Sequence, residues 1–292
     1  MVAMAKVWLP STKQAADDFD DIKDAIEYHD INVGSKPTSK YGDLVRSIVT
    51  SAGPTVPLPA SQGFALDDWE TVKKVSDWVV ANPRLATDQD INPYRIGDSR
   101  NIEIGGMLYP CVIWGFNHDD SALSLNKAGI TIGMWPNLLD TLYPMAIGTS
   151  NSQGWDRGPF RLIEVPKYYA SLEVDLRNII TPVLKRTTLG NQSTAVVVTE
   201  DTLWVPSVAE VSARMSTALP VPEGNLYEFW FRRNGAGSDG ARIMFFQGDP
   251  SQYWWRVPNI GAAHSFMRAS VAGAVGNAAS NNMLGVGLGF CI

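Results

Sequence analysis

Short runs of β-branched and aromatic residues, separated by glycine, proline and asparagine, make up the chain from about residue 94 onward. Runs of this length and composition are typical of strands joined by tight turns. We predict strands over residues 94–96, 101–104, 108–116, 195–199, 202–205, 226–232, 242–247 and 285–292. One helix interrupts them over residues 172–180, with four apolar side chains on one face: Leu172, Leu176, Ile179 and Ile180. Because helices are too few to cover a parallel sheet, the pattern predicts an α+β fold with antiparallel hairpins.

The last predicted strand alternates strictly between apolar and small side chains. Four apolar residues face one way, namely Val286, Leu288, Phe290 and Ile292, while three glycines and Cys291 face the other. A face lined by glycine lets a bulky ring or another backbone approach closely. We therefore expect this strand to be central and its end to be buried.

The first 50 residues have a different composition from the rest. Between Ser11 and Asp30 there are seven acidic residues and two lysines, whereas residues 91–292 carry 16 acidic and 15 basic residues. Apolar residues recur there at helical spacing in two short stripes, Ala15, Phe19, Ile22 and Ile26, then Tyr41, Leu44, Val45 and Ile48.

Helices as short as these gain their stability mainly by packing against something else. We expect the attachment or oligomer contacts to be made by Phe19, Ile22, Ile26, Leu44 and Ile48. The alternative is that these helices pack on the chain's own domain. Residues 51–63, with three prolines, two glycines and no charge, have the composition of a linker. The predicted organisation is an attachment segment (1–50), a linker (51–63) and a folded domain (64–292).

A further helix is predicted where the domain begins. Asp67 and Glu70 have the spacing of a capping box, and Pro83 ends the helix. Its apolar side carries Trp69, Val72 and Val79.

The charge balance and hydropathy exclude two classes of partner. With 24 basic and 30 acidic residues, the net charge of −6 gives no overall positive field, so nucleic acid is not an expected partner. No run approaches the roughly 18 apolar residues of a membrane span, so we expect no membrane insertion. The first ten residues do not resemble an export signal. In a reducing cytoplasm, Cys111 and Cys291 are expected to be free buried thiols in preference to a disulfide.

The sequence nominates no catalytic residue, and we expect the protein not to be an enzyme. His29, His118 and His264 are far apart, which argues against a metal site. The glycines from Gly235 to Gly240 match the spacing of a dinucleotide fingerprint, but no helix is predicted to follow, so we expect a hairpin loop and no cofactor. The acidic residues are scattered singly, without the converging pair that a glycosidase needs.

Two regions are candidates for ligand binding. Asn117, Asp119 and Asp120 follow an apolar strand, where they either build a turn or offer oxygen ligands to calcium. Trp254 and Trp255 point to opposite faces of a strand, so either one is exposed or both faces are covered. An exposed indole beside arginine suits the CH face of a sugar. The candidate glycan contacts are Trp255, Arg256, Asn117 and Asp119.

Seven motifs occur in an order that resembles a known family. They are a tryptophan-led helix (68–72), a Gly-Asp strand entry (96–98), GFNHD (115–119), a helix leading to a proline (176–183), LWVPS followed by EV (203–207 and 210–211), YWWRVP (253–258) and GFCI (289–292). This order is similar to the carboxy-terminal domain of unknown function found in phage tail and virion-fibre proteins and in Gram-positive bacterial proteins. The similarity covers residues 66–292, and Val257 stands where the family pattern has serine. Residues 24–33 and 41–48 are similar to short modules of phage structural proteins.

The resemblance implies a C-type-lectin-like α+β domain, a mixed or antiparallel sheet preceded by short amino-terminal helices and a proline-rich linker. It brings neither a catalytic residue nor the calcium-binding signatures of lectins. It implies a virion structural protein of the tail-fibre, receptor-binding type, assembled in the host cytoplasm. The expected partners are other virion proteins, further copies of the chain, as a trimer, and a host-surface glycan. The alternatives are a capsid decoration or head-fibre protein without a receptor and a polysaccharide depolymerase.

Overall fold

A computed structural model describes residues 56–212, 223–234 and 239–292. The chain divides into two units, Met1–Pro54 and Thr55–Ile292. The predicted attachment residues lie outside the described residues: Phe19, Ile22, Ile26, Leu44 and Ile48. Gly235 and the three residues after it lie outside them as well.

Within those ranges the second unit combines short helices with many short strands. The helices are α1 (Trp69–Ala81), α2 (Val165–Ser171), α3 (Val174–Ile179), α4 (Val208–Val211) and α5 (Glu228–Asn234), with a π-helical turn (Phe160–Glu164) before α2 and a 3₁₀ turn (Asp239–Arg242) after α5. The strands are β1 (Ser99–Ile104), β2 (Met107–Phe116), β3 (Ile130–Met134), β4 (Val183–Thr188), β5 (Val196–Asp201), β6 (Met244–Phe246), β7 (Asp249–Ser251), β8 (Tyr253–Pro258), β9 (Ser265–Ala269), β10 (Val275–Ala279) and β11 (Gly289–Cys291).

The strands form four separate antiparallel sheets. The largest has the order β1-β2-β3-β11, a second has the order β10-β9-β8, and β4–β5 and β6–β7 are two-stranded. Every pairing between these strands is antiparallel. The prediction of an α+β fold with antiparallel hairpins is confirmed.

The first described helix begins one residue later than predicted. Asp68 is the N-cap of α1, and its carboxylate accepts a hydrogen bond from the backbone N–H of Thr71 at 2.7 Å. The neighbouring Asp67 is buried and accepts hydrogen bonds from the Gln62 N–H and the Tyr94 hydroxyl. Asp67 therefore ties residues before the helix to the domain, and Asp68 caps the helix.

The last strand is buried, as its alternation predicts, but it is shorter than the predicted 285–292, at Gly289–Cys291, and it lies at the edge of the four-stranded sheet and not at its centre. Gly289 pairs with Gly133 of β3 on one side and bridges Trp204 on the other. The indole of Trp114, at a β-bulge of β2, lies directly against Gly133 and Gly289. A Cβ atom on Gly289 would lie 2.7 Å from this ring. The glycine face therefore makes room for a tryptophan that lies across three strands.

Several predicted elements are different in the structure. Residues 226–232 were predicted as a strand, but Glu228–Asn234 form helix α5, which buries Phe229 and Trp230 and exposes Phe231. The helix predicted over 172–180 is shorter, Val174–Ile179, and a second helix that was not predicted, Val165–Ser171, precedes it. Residues 94–96 and 202–205 are not strands.

No helix among the described residues is both long and apolar enough to cross a membrane.

Candidate ligand-binding site

A cavity of about 420 Å³ opens beside β4, where the loop after β2 meets the residues before α5. Its buried lining comprises Asp119, Lys185 and Glu210, and its exposed lining includes Asp120, Lys127, Arg186 and Asn225. The two linings meet because the side chains of β4 alternate between buried and exposed positions. Lys185 points inward between two exposed neighbours, Leu184 and Arg186.

Lys185 is the centre of the buried lining. Its ammonium donates to Tyr227 Oη at 2.7 Å, to Glu210 Oε1 at 3.1 Å and to an oxygen of Asp119. It also lies 3.9 Å from the centroid of the Trp204 ring, which stabilises a cation through the ring's negative face. All the donors of this buried cation are therefore used within the protein.

Glu210 joins Lys185 to a second buried cation. Arg256 Nη1 donates to Glu210 Oε2 at 2.6 Å, and Nη2 donates to Oε1 at 3.0 Å. Glu210 also completes the capping box of α4, in which its Oε2 accepts from the Ser207 N–H and the Ser207 hydroxyl accepts from the Glu210 N–H. Asp119, Lys185, Glu210 and Arg256 thus form a line of alternating charge, which we call the buried charge network.

Asp119 ends this network in the loop after β2. Its carboxylate accepts hydrogen bonds from the Thr131 hydroxyl at 2.7 Å and from the Tyr227 hydroxyl at 3.2 Å. The Cys291 thiol donates to the same carboxylate at 3.4 Å. Through these contacts the network connects the loop after β2 with β3, β4, α4, the residue before α5, β8 and β11.

The two carboxylates of the network are held ionised. Burial alone would raise the pKa of Asp119, but the Lys185 ammonium and the neighbouring His118 outweigh it and hold that pKa well below its ordinary value. Burial also opposes ionisation of Glu210, but Arg256 and then Lys185 outweigh it and lower its pKa. Burial and the Asp119 charge raise the pKa of Tyr227 far above its usual range. The buried lining therefore contains paired anions and a neutral phenol, and neither acts readily as a proton donor or base at neutral pH.

The pKa of Glu223, a buried residue beside the network, shifts in the opposite direction. Burial raises its pKa above the ordinary value of 4.5. One of its oxygens accepts from the N–H and the hydroxyl of Thr188, both at 2.7 Å, and the other has no hydrogen-bond partner among the described residues.

Trp255 and Arg256 do not contact solvent, so their predicted role in glycan stacking is wrong. Both side chains are 0% exposed, and β8 is buried on both faces. Trp254 is equally buried and donates from its indole N–H to the Tyr143 carbonyl at 2.7 Å. Both faces of β8 are therefore covered, which was one of the two alternatives for this tryptophan pair.

Asn117 and Asp119 have separate roles. Asn117 has a positive φ of 47° and donates from its side-chain amide to the Val79 carbonyl in the last turn of α1. It does not line the cavity. Asp119 does, and of the four predicted contacts the structure brings only Asp119 and Arg256 into one network. The turn interpretation of this segment is therefore the better one.

The residues at the centre of the site were not nominated by the sequence. Lys185 lies in an ordinary strand pattern, and Tyr227 was placed on a predicted strand, whereas it lies just before helix α5. Glu210 had a usable signal, because Ser207 and Glu210 have the spacing of a capping box. That signal does not indicate the ion pair, because the partner of Glu210, Arg256, is 46 residues away along the chain.

Metal-binding groups do not converge in the described ranges, where no three histidine, cysteine, aspartate or glutamate side chains are placed to hold an ion. Cys111 and Cys291 are free and buried, as predicted.

Comparison with known proteins adds no relative. No family model matches the sequence, and no curated protein or solved structure matches the chain.

Proposed function

We propose that the chain is a phage virion structural protein of the tail-fibre type, whose second unit is a C-type-lectin-like domain that binds a host-surface saccharide. In this proposal residues 1–50 fasten the protein to other virion proteins as a trimer. The domain binds and does not cleave. The seven ordered motifs support the virion assignment, and the cavity supports the binding role.

The observation that carries the binding role is a cavity that has hydrogen-bonding groups without partners at its mouth. The charged groups of its buried lining are already paired within the protein. A volume of about 420 Å³ is within the usual range for small-ligand sites. His118 lines it, but both of its ring nitrogens are buried and Nδ1 lies 3.6 Å from Asp119 Oδ1, so the ring belongs to the buried lining. The exposed side chains of Asn225 and Arg186 at the mouth have no hydrogen-bond partner among the described residues. Sugar hydroxyls donate and accept hydrogen bonds, and such groups would pair with them.

The buried lining favours binding over hydrolysis. A glycosidase needs one carboxyl group that stays protonated to act as the general acid. Both network carboxylates have lowered pKa values, and each is paired with a buried cation. The site therefore offers hydrogen bonds from fixed positions and no proton to transfer.

The binding role is tested on an array of bacterial surface glycans with the full chain. We expect selective binding, weakened roughly threefold to tenfold by Asn225→Ala, the loss for one neutral hydrogen bond. Asn282→Ala, at an exposed asparagine outside the cavity lining, is the matched control. Binding that survives Asn225→Ala unchanged would place the ligand elsewhere.

The virion role is tested by imaging particles with an antibody against the domain. Label at the tail fibres supports the proposal. Label on the capsid together with an array that shows no binding would favour a decoration protein. Release of reducing sugar from host envelopes would favour a depolymerase.

A further inference from the structure

We infer that the cavity selects acidic saccharides, and that Arg186 binds the carboxylate or phosphate of the sugar. This inference rests on the proposed function and specifies its ligand class. Three observations support it: the pairing of the cavity charges, a backbone N–H group without a partner and the exposed amide of Asn225 beside them.

The charges that line the cavity cancel, with one exception. Asp120 is paired with Lys127 at 2.6 Å. Lys185 is shared by Asp119 and Glu210, and Glu210 is further compensated by Arg256. The exposed guanidinium of Arg186 has no ion-pair or hydrogen-bond partner among the described residues. It is therefore the uncompensated charge of this lining, and it is positive.

The backbone N–H of Arg186 is a second donor of this residue. The Leu184 N–H donates to the Asp120 carbonyl at 2.9 Å, on the side of β4 that faces away from β5. Backbone groups of a strand alternate in direction, so the N–H and carbonyl of Arg186 face that side too. The carbonyl of Arg186 does so, because it accepts from Arg256 Nη2 at 3.2 Å. The N–H beside it points away from β5 as well, and it has no hydrogen-bond partner among the described residues.

The guanidinium of Arg186 suits a planar or tetrahedral oxyanion. Arginine binds carboxylate and phosphate through two parallel hydrogen bonds, and a hydrogen bond to a charged group is about twice as strong as a neutral one. The carboxylates nearby do not repel such a ligand strongly, since each already has its own cation. The exposed amide of Asn225 remains for the ring hydroxyls.

The test uses three sugars that differ mainly in charge: glucuronic acid, glucose 6-phosphate and glucose. We expect the full chain to bind at least one acidic sugar roughly tenfold or more tightly than glucose, with affinity that falls as salt is added. The two acidic sugars distinguish a carboxylate ligand from a phosphate ligand. Titration calorimetry gives the dissociation constants.

Variants assign the effect to Arg186. Arg186→Gln should remove the preference for the acidic sugar, and Arg186→Lys should retain part of it. Arg157→Gln, at an exposed arginine paired with Asp156, makes the same charge change as a matched control and should retain the preference. Equal affinity for glucose and the acidic sugars, or an unchanged preference in Arg186→Gln, overturns the inference. If glucose binds in the cavity without that preference, the proposed function stands; if no sugar on the array binds, both proposals fail.

Discussion

Glu210 and Arg256 face each other through two hydrogen bonds, 2.6 and 3.0 Å long, in a position that solvent does not reach. A buried pair of this kind contributes little net stability compared with apolar residues, but removing one partner leaves an uncompensated buried charge. The consequences of single changes at the network therefore follow directly from its geometry.

Glu210→Ala should strongly destabilise the domain. The change leaves Arg256 charged and buried, removes one partner of Lys185 and breaks the capping box of α4. We expect the free energy of unfolding to fall by about 3–5 kcal/mol, measured by urea denaturation. Glu228→Ala, which breaks an exposed pair with Arg232, is the control and should cost roughly 0.5 kcal/mol. Comparable losses for the two variants would contradict the network.

Acid should destabilise the domain through Asp119 and Glu210. Both have lower pKa values in the folded state than their ordinary 3.8 and 4.5. Their stabilising contribution is therefore complete above the ordinary values and is lost as pH falls toward the folded values. Urea denaturation at a series of pH values should show the free energy of unfolding falling below about pH 4.5, with a shallower fall in Glu210→Gln. A wild-type curve that is flat in this range would refute the assignment.

Glu223 should make stability depend on pH in the opposite direction. Its pKa is raised in the folded state, so the unfolded state loses its proton first, and stability falls as pH rises from 4.5 toward the folded value. Glu223→Gln keeps an oxygen to accept from Thr188 and carries no charge. We expect the difference between variant and wild type to grow in favour of the variant over this interval. A constant difference would mean that Glu223 has an ordinary pKa.

Gly289→Ala should disrupt the packing of Trp114. The added methyl group would lie 2.7 Å from the indole, within a region that has no space for it. Overpacking of this kind costs about 1–3 kcal/mol. Gly148→Ala is the matched control, because a Cβ at Gly148 meets no atom within 4 Å. Thermal melting of both proteins provides the comparison, and equal melting temperatures would count against the close contact.

Deletion of Gly289 to Ile292 should yield insoluble protein. The deletion removes β11, exposes β3 along one edge and takes away the carbonyl of Ile292 that accepts from the Ser76 hydroxyl and from the Ile130 N–H. The measurement is the soluble fraction after expression, followed by a melting curve. A soluble truncated protein with a cooperative melt would show that the domain closes without this strand.

Local patterns predicted part of this fold, because their physical causes are local. The alternation of the last strand and the start of α1, to within one residue, can be derived from neighbouring residues. The segment around Tyr227 could not, because its aromatic residues favour a strand intrinsically, and packing against β2 determines that it is a helix. The short strand Ile130–Met134 was also missed, since it is interrupted by Gly133.

The candidate site was less predictable than the fold for a different reason. Its charges come from residues 119, 185, 210 and 256, and no spacing along the chain indicates that they meet. Arg256 was noticed for a neighbouring tryptophan, and the structure gives it a different partner. Burial is the deciding quantity, and it depends on which segments cover both faces of β8.

The alternating order of the four network charges also constrains how this sequence can diverge. A single apolar replacement leaves the adjacent residue charged and buried without a partner. An exchange of the whole set for well-packed apolar residues can be tolerated. Descendants that lose these charges are therefore expected to have lost them together, by concerted rather than stepwise substitution. In a library randomised at all four positions, survivors should fall into two groups, those with the full set of charges and those with none.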